Sequence, residues 1–210
     1  MKIKFLVLSL FTTLLFAACK DDEVNYSKLG GSTDLQTNEV GFSYTLIGAV
    51  DDLSLGSGFK ATVIDKSGDV VEIQLEGNIA SPFVSQLPPS AYIDSNGKVN
   101  ISGHFINSTE GVGYVNGKGE TSILVKYDAK VGDKWSYTTL GGKKLNREVI
   151  SISTDDDYYW GGMYIKVIEV EQNLPYPGFT KVVYSANHKF GLVGAVVTME
   201  DGSTSYLSAY

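Results

Sequence analysis

The sequence predicts an all-β, antiparallel fold, with about a dozen short strands forming a sandwich or an incomplete barrel and almost no helix outside the N-terminal apolar segment. Three observations carry this. From Glu39 onward apolar residues recur with period two, the spacing of strands buried on one face. Residues that tolerate positive φ fall between those runs, as tight hairpin turns require. No stretch beyond the N-terminal run shows a 3.6-residue apolar period, which an amphipathic helix would need.

Taken in order, Val40, Phe42, Tyr44 and Leu46 face one way, with Gly41, Ser43 and Thr45 between them. Phe59, Ala61 and Val63 repeat the pattern, and Val71, Ile73 and Leu75 alternate with Glu72, Gln74 and Glu76. Residues 77–92 read as the longest irregular loop. Within it Ser81–Leu87 is the best helix candidate, ended by Pro88-Pro89. Ile123, Val125 and Tyr127 make a further strand, as do Val182, Tyr184 and Ala186. Phe190–Met199 is apolar on both faces, so it is expected to be central or covered on both sides. The turns are expected at Gly68, Gly97, Gly117, Gly141-Gly142 and Gly202. Closure or stacking of so many strands would remove exposed edges.

The first 18 residues have a different character. Lys2 and Lys4 precede an apolar run from Phe5 to Phe16, 12 residues long, whereas a bilayer-spanning helix needs roughly 20. Ala17 and Ala18 then lead to Cys19, the single cysteine of the chain. A positive start, a short apolar run and small residues before a cut form a secretory signal. One cysteine makes no disulfide framework, and a free thiol suits an oxidising envelope poorly. Leu15-Phe16-Ala17-Ala18-Cys19 resembles the bacterial lipobox, in which the cysteine receives a diacylglyceryl group and the preceding bond is cut. Phe16 stands where leucine is usual. The resemblance implies a covalent lipid on Cys19 and no other cofactor. Lys20-Asp21-Asp22-Glu23 resembles the acidic export signal of Bacteroidota lipoproteins, which implies the outer membrane, lipid-anchored and facing the cell exterior.

The organisation that follows is a signal peptide over 1–18, a lipidated N-terminus with a flexible tether over 19–37, and a β-rich domain over 38–210 with a possible sub-boundary near Val131. Residues 20–37 lack periodicity and carry Gly30-Gly31-Ser32-Thr33; a flexible chain of that length reaches about 23 Å. Without residues 1–18 the chain has 15 basic and 24 acidic side chains, a formal charge of −9. No basic cluster marks a nucleic-acid footprint, and anionic headgroups would repel such a surface. Lipid, not charge, is therefore the expected membrane contact.

Val131-Gly132-Asp133-Lys134-Trp135, followed by Tyr184-Ser185-Ala186-Asn187 and Phe190-Gly191-Leu192-Val193, resembles the layout of uncharacterised β-rich envelope lipoproteins. It covers about 85 residues. Its motifs are structural and imply no catalytic residue; Trp135 is expected to bury its ring beside the turn at Gly132 and Asp133.

Asp155-Asp156-Asp157 runs into Tyr158-Tyr159-Trp160-Gly161-Gly162-Met163-Tyr164. Tyr158, Tyr159, Trp160 and Tyr164 could form an aromatic platform for sugar rings. The simpler reading is an acidic turn entering a strand whose aromatics pack inward. The triplet lacks the alternating ligand spacing of a calcium loop. Two histidines, His104 and His188, both in polar settings, are too few for an ordinary zinc site, so no metal is expected. No serine carries a nucleophile-elbow glycine pattern. These features favour a non-catalytic binding or accessory domain with a glycan or protein partner. A periplasm-facing lipid or lipoprotein carrier is the alternative, and a hydrolase of envelope polymers ranks below it.

Overall fold

The computed structural model describes residues 29–50, 53–80 and 93–210. Cys19, the acidic run Lys20 to Glu23, and the helix expected at Ser81–Leu87 lie outside the described residues. A 3-10 turn (Gln36–Asn38) precedes β1 (Ser43–Val50), β2 (Leu53–Ser54), β3 (Gly56–Ser67), β4 (Val70–Ile79) and β5 (Lys98–Ser108). There follow β6 (Gly111–Val115), β7 (Thr121–Lys126), β8 (Lys134–Thr138), β9 (Lys144–Ile152), β10 (Tyr158–Trp160) and β11 (Met163–Ile165). The last four are β12 (Ile168–Asn173), β13 (Phe179–Asn187), β14 (Gly191–Met199) and β15 (Thr204–Ala209). The fold is all-β as expected. It has more strands than the dozen anticipated, and β3 and β5, at 12 and 11 residues, are not short.

One sheet of 13 strands runs in the order β7-β6-β5-β4-β3-β1-β15-β14-β13-β12-β9-β8, with β2 paired to β1 beside that path. Two antiparallel meanders thus meet where the first and last strands pair, Leu46 opposite Ala209 and Val50 opposite Ser205. The sheet curls until it forms a nearly closed barrel. Its free edges, β7 and β8, are consecutive in sequence, and Val131 lies in the link between them.

Side chains bridge that seam in place of a backbone ladder. The Trp135 indole N–H and an Arg147 N–H both donate to the Ile123 carbonyl at 2.7 Å, and Arg147 also donates to Ser122 Oγ at 2.9 Å. The Asn116 amide donates to the Tyr137 hydroxyl at 3.0 Å. An edge carbonyl left bare inside a barrel would carry the penalty of an unmade hydrogen bond; Ile123 receives two donors. The Trp135 ring is half-buried against the core and under the Lys126 ammonium.

Period-two reading places the interior correctly in most strands. Val182, Tyr184 and Ala186 are buried, as are Val71 and Leu75, and β14 is central, between β13 and β15. The first strand starts later than expected, at Ser43, and Val40 is exposed. Residues 29–37, the described part of the expected tether, lie against the barrel. Ser32 and Thr109 exchange backbone and side-chain bonds at 3.0 Å, and Thr33 Oγ1 donates to Asp69 at 2.8 Å. Thr37 and Asn38 are buried. Their polar side chains find partners on β5, and Leu29 packs beside Gly111 and Gly113 of β6.

Candidate functional site

The interior is filled by two separate apolar clusters. One gathers Val125, Val149, Val170, Val182 and Ala186, the other Val50, Phe59, Leu75, Val99 and Ile101. Between them lies a cavity of about 220 Å³. Its wall takes Leu46, Ile73 and Leu75 from the first meander, and Leu192, Ala195 and Leu207 from the second. Inward-pointing Phe105 on β5 and Leu192 on β14 are only half-buried, because the opposite wall does not meet them. Interiors normally close-pack, so an apolar space of this size departs from a barrel interior filled by side chains.

One end of the cavity is polar. Asn107, in phase with Val99, Ile101 and Phe105 on the inner face of β5, donates from Nδ2 to Thr37 Oγ1 at 2.9 Å. The Tyr44 hydroxyl, on which Thr37 acts at close range, donates to the Phe190 carbonyl at 2.6 Å. Asn38, 1% exposed, donates both amide hydrogens, to the Thr33 carbonyl at 2.9 Å and the Asn107 carbonyl at 2.7 Å. Its Oδ1 has no partner. Gly191 closes this end at φ 74; a Cβ there would stand 3.1 Å from the Asn107 amide, so the close approach and the backbone both call for glycine.

Burial pushes the Tyr44 hydroxyl up to about 12, against the Thr37 bond. Burial likewise pushes Tyr184 up to about 12, with Arg147 and Gln172 opposing. Both stay neutral at neutral pH, and none of the lining side chains carries charge. Tyr184 also borders a second cavity of about 20 Å³ that contains Arg147 and Gln172. Arg147 is 2% exposed and donates to Gln172 Oε1 at 2.8 Å; no ion pair among the described residues includes it. Burial lowers it to about 10, still protonated at neutral pH.

The four aromatics singled out in the sequence divide between two faces. β10 and β11 form a hairpin turned by Gly161 and Gly162, both at positive φ, as a two-residue turn requires. Trp160, 7% exposed, packs with Ile165 and Val167 on Val193 of β14 and lies 4.3 Å from the Phe190 ring. Its indole N–H donates to the Ala209 carbonyl. Val193 alternates with cavity-lining Leu192, so the hairpin covers the outside of the cavity wall. Tyr158 is half-buried beside Gly194. Tyr159 and Tyr164 are 65% and 63% exposed and meet edge to face at 5.4 Å. A buried ring offers no platform, so Trp160 cannot contribute to one, and Tyr159 and Tyr164 present the most exposed rings of the four.

His104 is exposed, its Nε2 4.0 Å from a Glu72 oxygen, and His188 is exposed in the β13–β14 turn. Among the described residues, no three His, Cys, Asp or Glu side chains gather as metal ligands.

Among solved structures, the chain is similar to a candidate exported protein with a YmcC-like fold from Bacteroides fragilis, at 13% identity and a TM-score of 0.47. The similarity covers 82% of this chain and 95% of that one. No protein-family model and no curated protein matches the chain.

Proposed function

We propose that the chain is an exported lipoprotein, held in the outer membrane by a lipid on Cys19 and facing the exterior, that binds a small apolar ligand inside its barrel without catalysis. The cavity between the two interior clusters carries this reading. A cavity of about 150 Å³ takes benzene, so 220 Å³ admits a body about half as large again. That falls short of even one long acyl chain, the cargo of a lipid or lipoprotein carrier, which favours a binding domain over the carrier. The lipobox and the acidic run Lys20 to Glu23 support export and anchoring. The negative charge of the chain speaks against nucleic acid, and the ligand requires no cofactor beyond the covalent lipid.

The test is titration with naphthalene, followed by calorimetry, of the wild type and an Ala195→Phe variant whose ring would occupy the cavity. Saturable one-to-one binding in the wild type and none in the variant is the expected result. Equal binding by both, or none by the wild type, would overturn the reading.

A second reading rests on the exposed pair Tyr159 and Tyr164. A glycan or protein partner that contacts them would be lost on replacing both with alanine, with naphthalene binding unchanged. A partner bound equally well by the double variant would exclude the pair.

A further inference from the structure

The chemistry of the ligand can be narrowed from the cavity wall, an inference that rests on the binding reading above. We propose that the cavity takes an uncharged molecule with a naphthalene-sized apolar body and a single hydroxyl or N–H that donates to the cluster of Thr37, Tyr44 and Asn107.

The absence of charge follows from the lining. Its polar side chains are Thr37, Asn38, Tyr44, Asn107 and Tyr184, and the rest are apolar or glycine. A carboxylate or ammonium placed there would lose its hydration without gaining a counter-charge, which costs far more than apolar contact returns. Arg147, the nearest buried cation in this part of the interior, borders the smaller cavity beyond Tyr184 and spends its bonds on Ser122, Ile123 and Gln172. It does not line the larger space.

The need for a donor follows from hydrogen bookkeeping at the polar end. The Tyr44 hydrogen goes to the Phe190 carbonyl, and both Asn38 amide hydrogens go to backbone carbonyls. One Asn107 hydrogen goes to Thr37. What remains is rich in acceptors: lone pairs on Thr37 Oγ1 and Tyr44 Oη, and Asn107 Oδ1. Asn38 Oδ1, behind them, lacks a donor altogether. A ligand with only ether, ester or ketone oxygens would meet mostly acceptors, save for the Thr37 hydroxyl and one remaining Asn107 N–H. A hydroxyl or N–H complements the site.

The experiment compares 2-naphthol, naphthalene and 2-naphthoate at pH 7 by calorimetric titration of the full mature protein. The expected order is naphthol tightest, by about three- to tenfold over naphthalene as one net hydrogen bond implies, with naphthoate weakest. Thr37→Val, which keeps shape and removes the hydroxyl, should bring naphthol and naphthalene towards parity; Tyr44→Phe supplies an independent variant if the first fails to fold, as judged by circular dichroism. Naphthalene binding as tightly as naphthol, or naphthoate as tightly as either, would overturn the inference and leave the binding site standing. Failure of all three to bind would overturn the binding reading itself.

Discussion

Replacing Trp160 with alanine should remove the clasp that holds the β10–β11 hairpin over the cavity wall. An indole buries up to about 250 Å², and with 7% left exposed its transfer at about 25 cal/mol/Å² sets an upper bound near 6 kcal/mol. The retained Cβ and partial burial in the denatured chain reduce this, to about 4 kcal/mol, within the range measured for Trp to Ala in cores. Loss of the bond to the Ala209 carbonyl adds about 1 kcal/mol. Trp160→Phe should keep most of the packing on Phe190 and lose only that bond and part of the area, about 1–2 kcal/mol. Phe190 ties the effect to the site, since its ring stacks on Trp160 and its carbonyl receives the Tyr44 hydroxyl. Naphthalene affinity should therefore fall in the alanine variant along with stability. Urea unfolding followed by circular dichroism gives both free energies without relying on tryptophan emission, since Trp135 is the one tryptophan left in either variant. A loss below 1 kcal/mol for the alanine variant would refute the packed position of the ring.

Further outcomes follow from the same structure. Above pH 10 stability should fall. Burial raises Tyr44 and Tyr184 to about 12, and Tyr127 is raised by burial and by the nearby Tyr44. Their contribution is complete below the unfolded value near 10 and is lost as pH rises through about 12. Arg147, lowered to about 10 by burial, acts in the opposite sense between about 10 and 12.5, one group against three. Urea midpoints at pH 8.5, 10.5 and 11.5 check the sign, and a flat or rising series would contradict it. Arg147→Ala leaves Ser122 Oγ and Gln172 Oε1 without that donor and should cost about 3 kcal/mol after relief of the buried charge. It should also open the β7–β8 seam, read as faster amide exchange in β7; an unchanged rate would remove Arg147 from the seam. Gly77→Ala would place Cβ 2.1 Å from the buried Phe59 ring and should cost about 1–3 kcal/mol, measured by thermal unfolding; a neutral variant would show that the ring has room to move.

Strands and turns were legible because their causes are local. Val71, Ile73 and Leu75 alternate with Glu72, Gln74 and Glu76, and Gly68, Gly97, Gly142 and Gly202 hold the positive φ their turns need. The choice of a barrel over a sandwich was not local. It depends on β1 pairing with β15 across more than 150 residues and on one arginine meeting the β7 edge. The cavity entered the sequence reading only through the carrier alternative, and its full lining was not legible, since its wall draws on both meanders and no single run encodes an unfilled space. A signal was nonetheless present: Arg147 stands in phase with Leu145 and Val149, and Asn107 with Ile101 and Phe105. A polar residue on the apolar phase of a strand marks a buried bond, and those positions now border the two cavities. The docking of residues 29–37 was hidden because Thr37 reads as a linker residue until Asn107 is placed beside it.

The most direct test of the central claim is a crystal of the protein pressurised with xenon, a probe that enters apolar cavities irrespective of chemical recognition. Xenon density is expected between Phe105, Leu192 and Leu207, absent from the Ala195→Phe variant. Density confined to the surface, or side chains from the two clusters closed together where the cavity should be, would contradict it.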